Sequence, residues 1–328
     1  MKSYNSLNVK YNKNIHSVSL DTKYLRELKK KEVLVKIKYS SLNYKDALSV
    51  TGKSRIIRSD NMTPGLDLSG IVVKSNVKKF SKGDKVLATG GGLGETIDGG
   101  FSEYAYMPSN ILQHIPKNLS LLSSMQIGTA GFTAAIAIEK MLLNNQKKIS
   151  GPILVSGATG GVGSFAINIL NKIGFETIAI TRNKNSISYL KKIGADKIIM
   201  YPDNFTDKLL NNKLYAGSID NVGGELLDLI IKSIKDSGNI VSVGMASKHT
   251  LNTSVFPLIM RGVNILGVSS TNYPNIKREA VWKKLSYKYK PRKLNIINTK
   301  NISLNEIEKY SRKLISGKMN GRIVIKIH

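Results

Sequence analysis

The chain has 328 residues, 41% hydrophobic and 22% charged, with 28 glycines and 8 prolines, a globular composition with enough chain for two domains. That balance excludes collagen-like, disulfide-scaffold and wholly disordered classes, and the absence of cysteine excludes disulfides, a thiolate nucleophile and Cys-ligated zinc. Fifty basic residues against 22 acidic ones give a net charge of +28, which suits nucleic acid, an anionic membrane or a phosphate-bearing small molecule, or else a generally basic solvated surface.

In chain order, the first twenty residues lack the apolar core of a signal peptide, so the expected location is the cytoplasm. The stretch Gly151 to Leu170 is apolar but broken by glycines, and reads as strand, turn and helix, not as a membrane span. Residues Glu32 to Ser40 alternate apolar and polar as a half-buried strand does. Short β-like runs follow at Ile71–Val73, Asp84–Ala88 and Ser102–Met107 between Gly-rich turns, so the first 120 residues read as mainly β.

From Ser123 the pattern turns helical, and strand–helix units run to about residue 258. Strands are expected at Pro152–Ser156, Thr177–Thr181, Asp196–Tyr201, Ser218–Val222 and Asn239–Val243. The helices between them are Ser164–Ile173, closed by Gly174, Asn185–Ile193, closed by Gly194, and Glu225–Ile234. Strands alternating with helices of this length imply βαβ crossovers and a doubly wound parallel sheet. The closing Gly321–Ile327 alternates like a strand and is expected to return to the first domain.

Gly157-Ala-Thr-Gly160-Gly161-Val-Gly163 follows a predicted strand and opens a predicted helix, the context that a dinucleotide site requires. Glycines let the backbone turn tightly against a pyrophosphate, and the helix N-terminus offers free N–H groups. An NAD site places a carboxylate at the end of the second strand; here Thr181-Arg182-Asn183-Lys184 stands there instead, which suits the 2′-phosphate of NADPH. Tyr189 reads either as a contact to the adenosine end or as helix packing. Asp220 to Gly224 and Gly244-Met245, at later strand ends, read as secondary cofactor contacts or as ordinary turns.

The four histidines, His16, His114, His249 and His328, form no spaced ligand set, so a metal-free site is expected. Without a Lewis acid, hydride transfer to an already polarised double bond is easier than oxidation of a simple alcohol. In the first domain, Tyr44 offers a phenol to substrate or nicotinamide, and Asn43 an amide to orient a carbonyl; from residue types alone, Tyr44 reads first as an aromatic packed in the core.

Taken together, SLNYKDAL (41–48), TGKSRIIR (51–58), PGLDLSG (64–70), the GGLGE and GGFSEYA segments (91–105), IGTAGFTA (127–134), SGATGGVGS (156–164), YLKKIGAD (189–196), IDNVGG (219–224) and GRIVIKI (321–327) carry a resemblance over nearly the whole chain. It resembles the NADPH-dependent acrylyl-CoA reductases of the YhdH type, within the zinc-free, quinone oxidoreductase-like branch of the medium-chain dehydrogenase/reductase superfamily. The resemblance implies a Rossmann domain over 122–258 and a GroES-like β domain over 1–121 and 259–328. It also implies that Tyr44 contacts the cofactor near the nicotinamide and that Thr159, Gly160, Gly161 and Val162 hold the pyrophosphate. Thr181, Arg182 and Asn183 would take the 2′-phosphate, with the arginine one place earlier than the family's usual Ser-Gly-Arg, and Met245, Ile259 and Ser270 would line the cofactor cleft. Asp67 would stand where zinc-dependent relatives carry a histidine ligand, and the chain would be a homodimer.

The expected activity is NADPH-dependent reduction of acrylyl-CoA to propionyl-CoA, with a CoA thioester as the partner and neither nucleic acid nor membrane as a primary one. The rival on the same scaffold is a reductase of quinones or free enones. The distant alternative is an RNA-binding protein built on a nucleotide-loaded fold, which salt titration would reveal.

Overall fold

The alternating run at residues 32–40 belongs to the strand Glu32–Leu42, the hub of one of two units in the computed structural model. The structure describes residues 2–13, 15–202, 204 and 208–327. One unit comprises Met1–Thr129, Thr271–Ser286 and Asn298–His328, the other Ala130–Ser270 and Tyr287–Ile297. The fold class is the expected one, a β-rich unit and a doubly wound parallel α/β unit.

In the β-rich unit, Glu32–Leu42 pairs antiparallel with Asp67–Ser75, Tyr104–Pro108 and the C-terminal strand Arg322–Lys326. The tail is therefore a strand of this unit's sheet. Lys85–Thr89 and Gln113–His114 extend the sheet on one side, and Asn298–Ile302 pairs parallel with Arg322–Lys326 on the other. Val33, Val35, Ile37 and Leu68 are buried in one core on this sheet. Leu42, Ala47, Val50, Ile307, Ile323 and Ile325 form a second, where the helix Tyr44–Val50 packs on the helix Ile307–Ile315. Fully burying a side chain of this size stabilises by roughly 1.5–3 kcal/mol. The hairpin of Ser3–Asn12 and Ile15–Tyr24 was not expected from the sequence. Its polar residues Ser6 and Asn8 are buried and bond Thr63, at 2.6 and 2.9 Å, which hides the usual apolar alternation.

The other unit holds six parallel strands, in the spatial order Lys197–Met200, Thr177–Thr181, Ile153–Val155, Tyr215–Asp220, Ile234–Ser242 and Asn264–Gly267. The strand order reverses beside Ile153–Val155, and ligands bind such sheets at the carboxyl ends around that point. Thr177–Thr181 has the bounds read from the sequence, and the other expected strands and helices lie within a few residues of theirs, except that the strand expected at Asn239–Val243 runs from Ile234 to Ser242, taking in Ile234, which was expected to end the preceding helix.

The boundaries between units differ from those expected. Residues 259–270 belong to the α/β unit because Asn264–Gly267 is the sixth strand of its sheet. Residues 287–297 belong there too: the Arg292 amide donates to Asn168 Oδ1 at 2.9 Å, and Lys172 Nζ donates to the carbonyls of Tyr287 and Lys290. The first boundary falls at Thr129 within the helix Leu121–Leu143, beside Gly128, whose φ of 52° and ψ of −159° break the helical geometry. Among the described residues Leu121–Leu143, not Gly151–Leu170, is the helix long and apolar enough to cross a membrane; 72% of its apolar window is buried within the protein, as in a core helix.

Candidate active site

In the α/β unit the strand Ile153–Val155 runs into the glycine turn, and the helix Gly161–Lys172 starts with Gly160 as its N-cap. Gly157 has φ 55°, the left-handed conformation that the tight turn needs. A Cβ on Gly163 would lie 2.4 Å from the Gly157 carbonyl oxygen and 2.7 Å from Ala158 Cα. Only glycine at 163 lets the helix start lie this close to the turn. The first-turn amides have no intrahelical acceptor and are donors for an anion. Thr159, Gly160, Gly161 and Val162 are all partly exposed around this cradle, so the residues present fit a dinucleotide pyrophosphate.

Asp220, Asn221 and Gly223 brace the cradle from the neighbouring strand. Asp220 is fully buried; its carboxylate accepts from Ser156 Oγ at 2.5 Å and from the Gly223 amide at 2.9 Å. Burial raises its pKa. Asn221 Nδ2 donates to the Ser156 carbonyl at 2.7 Å. Of the two readings for this segment the structure favours turn chemistry: Asp220 ties two strand ends together and has no face open to a ligand.

At the end of the second strand, Thr181 is buried and its hydroxyl accepts from the Asn183 amide at 3.1 Å. Asn183 Oδ1 accepts from the Asn185 amide at 2.9 Å, capping a short turn. Arg182 is exposed, its guanidinium 4.5 Å from the Tyr201 ring centroid. No carboxylate stands among residues 181–184, so a 2′-phosphate would meet the Arg182 cation without a competing acid. Tyr189 turns out to be a bracing residue: its hydroxyl shares a 2.8 Å hydrogen bond with Ser164, and burial pushes its pKa up to about 12. Met245 and Ile259 are 70% and 74% exposed, and Ser270 is half-buried; apolar surface left this open suits contact with a ligand or a second chain.

In the β-rich unit the sequence motifs converge on a buried polar network. Asn43 caps the helix Tyr44–Val50: its amide N–H donates to Asp46 Oδ2 at 2.9 Å and its Nδ2 to the same oxygen at 3.0 Å. Asn43 Nδ2 also lies 2.9 Å from Asp67 Oδ2. Asp67, fully buried, accepts from the Ser41 hydroxyl, from the Thr129 amide at 2.9 Å and from the Thr129 hydroxyl at 2.5 Å. Arg322, 3% exposed, donates to Asn43 Oδ1 at 2.8 Å, to Ser41 Oγ at 2.6 Å and to the Leu42 carbonyl at 3.2 Å, and pairs with Asp67 Oδ2 at 3.4 Å. A Cβ on Gly128 would sit 2.5 Å from both Asp67 and Arg322. SLNYKDAL, PGLDLSG, IGTAGFTA and GRIVIKI thus each contribute to one array.

This geometry corrects one expectation. Asn43 is buried with both ends of its amide engaged, so it positions the helix start and is not free to orient a substrate carbonyl. Tyr44, the next residue, is 43% exposed, and its hydroxyl has no hydrogen-bond partner among the described residues. It is a phenol open to a ligand, on a backbone fixed from behind. Burial, and the Asp67 carboxylate nearby, raise the pKa of Asp46 to about 7, while burial lowers that of Arg322.

Asp46, Thr129 and Arg322 were not singled out from the sequence. The Asn43-x-x-Asp46 spacing is a capping-box signal that would have found the first; nothing local marks the other two. Among the described residues, no group of three or more His, Asp or Glu is placed to hold a metal ion. His16 bonds the Ser49 carbonyl and His114 pairs with Asp84 at 3.1 Å; His249 is exposed, and His328 lies outside the described residues.

Residues 29–117 match the alcohol dehydrogenase GroES-like domain, and residues 161–286 match the zinc-binding dehydrogenase family. A Bacillus subtilis protein provisionally named a quinone oxidoreductase, YhfP, is 38% identical over 319 residues, 96% of this chain and 97% of its own. A crystal structure of yhfP with NAD bound superposes with a TM-score of 0.94 at 36% identity, over the whole of both chains. The acrylyl-CoA reductase AcuI of Ruegeria pomeroyi is 33% identical over 306 residues, 93% of this chain and 92% of its own. The yhdH oxidoreductase of Salmonella enterica, solved in complex with NADP, superposes with a TM-score of 0.93 at 34% identity, covering 99% of this chain and all of that one. With relatives this similar over nearly its full length, the chain belongs to the medium-chain dehydrogenase/reductase superfamily, as an oxidoreductase of the family that includes AcuI, YhdH and YhfP.

Proposed function

We propose that this oxidoreductase uses NADPH to reduce the conjugated C=C of acrylyl-CoA to propionyl-CoA. One observation carries the cofactor choice: the second strand ends in an exposed arginine with no carboxylate beside it. A diphosphate ribose with a 2′-phosphate matches that charge, and one bearing only a 2′-hydroxyl finds no acidic acceptor. The similarity to AcuI, whose name gives its substrate, supports the CoA thioester, and the +28 surface favours a ligand carrying several phosphates.

When bound, NADPH supplies the hydride that the β-carbon of acrylyl-CoA accepts. The electron pair of the C=C moves toward the thioester oxygen as an enolate, and a proton delivered to the α-carbon completes propionyl-CoA. The exposed Tyr44 phenol is the group we assign to stabilise that oxygen or deliver that proton, as a donor held at the ordinary hydrogen-bond distance when the complex forms. Thr159, Gly160, Gly161 and Val162 would hold the pyrophosphate, Gly161 and Val162 through backbone N–H groups while the Gly160 amide closes the turn on the Gly157 carbonyl at 3.0 Å, and Arg182 with Thr181 and Asn183 would receive the 2′-phosphate.

We further propose a cytoplasmic homodimer. The strand Asn264–Gly267 is the last of its sheet and carries a part-exposed Ile265, and Ile259 and Met260 are exposed on the preceding helix. Light scattering coupled to size exclusion checks the dimer.

The deciding experiment follows loss of NADPH absorbance with acrylyl-CoA beside a small quinone, with NADH as control. A kcat/KM for acrylyl-CoA at least a hundredfold above that for the quinone, and lost with NADH, is the expected result. Preference for the quinone, to which the provisional name of YhfP points, would leave a general enone or quinone reductase.

A further inference from the structure

The buried array around Asp67 is expensive for what it would give as stabilisation alone. Arg322 is almost fully buried, its Nε has no hydrogen-bond partner among the described residues, and it pairs with one carboxylate, Asp67, at 3.4 Å, while a second, Asp46, is reached only through Asn43. Buried ion pairs of this kind are often no more stabilising than apolar residues of similar volume, because desolvation offsets the attraction. What the array does hold is a geometry. The two Nη atoms of one planar guanidinium reach the Leu42 carbonyl, Asn43 Oδ1 and Ser41 Oγ, three consecutive residues that end the strand Glu32–Leu42 and start the helix at Tyr44. Asp67 closes the array from the opposite side through Ser41 and Asn43. The residue that follows these fixed positions is the exposed Tyr44.

We propose that Arg322, on the last strand of the chain, is a positioning residue for Tyr44, acting through Asn43 and the Asp67-bound Ser41 to fix the backbone from which the phenol projects. The assignment rests on the reading of Tyr44 as the group that meets the reacting substrate. Arg322 is itself buried and presents almost no open surface to a ligand. A planar fork is needed because the acceptors lie on both Nη atoms; a lysine ammonium, a single point donor on a flexible stem, keeps the charge and loses that geometry.

The test is a double-mutant cycle on the full-length protein, with kcat and KM read separately and NADPH affinity measured by direct titration. Arg322→Lys should lower kcat by about tenfold or more while the Kd for NADPH stays within about twofold. Tyr44→Phe should lower kcat as well, and Arg322→Lys/Tyr44→Phe should be no slower than the slower single variant, because the two act through one group. Ser41→Ala removes the hydroxyl that bridges Arg322 and Asp67 without deleting a charge; it runs the same cycle should Arg322→Lys not fold, with a smaller loss in the same direction. Effects of Arg322 and Tyr44 that multiply, or an Arg322→Lys whose loss lies in NADPH binding, would overturn the positioning role and leave Tyr44 standing. A Tyr44→Phe enzyme with unchanged kcat would instead remove the catalytic reading and this assignment with it.

Discussion

The two units build their chemistry by opposite means. The nucleotide cradle of the α/β unit is made of contiguous backbone: residues 157–163 turn, approach and present N–H groups, and side chains are mostly absent from it. The array of the β-rich unit is made of side chains from residues 41, 43, 46, 67, 129 and 322, and its donors and acceptors are spent on one another. One region is built to receive an anion; the other is closed, and holds a neighbouring phenol in place. A substitution in the first should therefore cost binding, and one in the second should cost geometry and stability.

Gly128 gives the largest effect expected. Gly128→Val places a side chain at φ 52° and ψ −159°, close to a region that non-glycine residues rarely occupy, and drives it into Asp67 and Arg322. Backbone strain and overpacking together should destabilise the fold by about 3–5 kcal/mol. Thermal unfolding reads this as a large drop in Tm. A variant as stable as the parent would show that the array relaxes easily, and the contrast between the two regions would fail.

Gly163→Ala tests the opposite region. Its φ is not in the left-handed range, so the cost is steric: a Cβ 2.4 Å from the Gly157 carbonyl must push the helix start away from the turn. We expect about 1–3 kcal/mol of destabilisation, and a loss of NADPH affinity of tenfold or more. Calorimetric titration checks the second number. Loss of stability with affinity intact would mean that the close approach serves packing alone.

These two glycines also show what the sequence could reveal. Gly163 was legible because its constraint lies within seven consecutive residues, between a strand and a helix that their own periodicity announces. The strand Thr177–Thr181 was legible for the same reason: five residues, all buried, set off from the preceding helix by its closing Gly174. Gly128 was visible only as part of a motif that resembled a family, because its partners Asp67 and Arg322 are distant in sequence. Arg322 carried no local signal, since one arginine at the start of an alternating strand is ordinary. The N-terminal hairpin was missed because Ser6 and Asn8, polar residues, face inward there and satisfy each other through Thr63.

Asp46 offers a pH test of the closed region. Its carboxyl titrates at 3.8 when unperturbed and near 7 in the fold, raised first by burial and then by Asp67. Between those values the folded protein binds more protons than the unfolded chain, so this residue's contribution to stability falls as pH rises from about 4 to 7 and is constant above. The fall is on the order of 4 kcal/mol. In Asp46→Asn that slope should vanish, although the amide must turn a donor toward one of the N–H groups of Asn43 or Leu66 and so carries a constant penalty. Denaturant unfolding at several pH values separates slope from offset. An unchanged slope would place the titration elsewhere.

Arg182 is the smallest effect and the most selective one. It is exposed and stacked on Tyr201, with no carboxylate beside it in residues 181–184, so its removal should leave the fold within about 0.5 kcal/mol of the parent. A charge-assisted contact to a 2′-phosphate is stronger than a neutral hydrogen bond, and Arg182→Ala should raise the KM for NADPH by about tenfold while that for NADH stays within twofold. Because the guanidinium is solvated, the parent's preference for NADPH should itself shrink as salt is raised, and the variant's should not. Arg182→Lys keeps the charge without the planar fork, and an intermediate value is expected for it. The yhfP structure with NAD bound makes the ratio informative: a parent that already uses both cofactors equally would mean that an arginine one place early does not reach the phosphate, and that the open end of the second strand tolerates either ribose. A parent that discriminates, and a variant that does not, would assign the discrimination to a side chain and leave the glycine backbone, common to both cofactors, out of it.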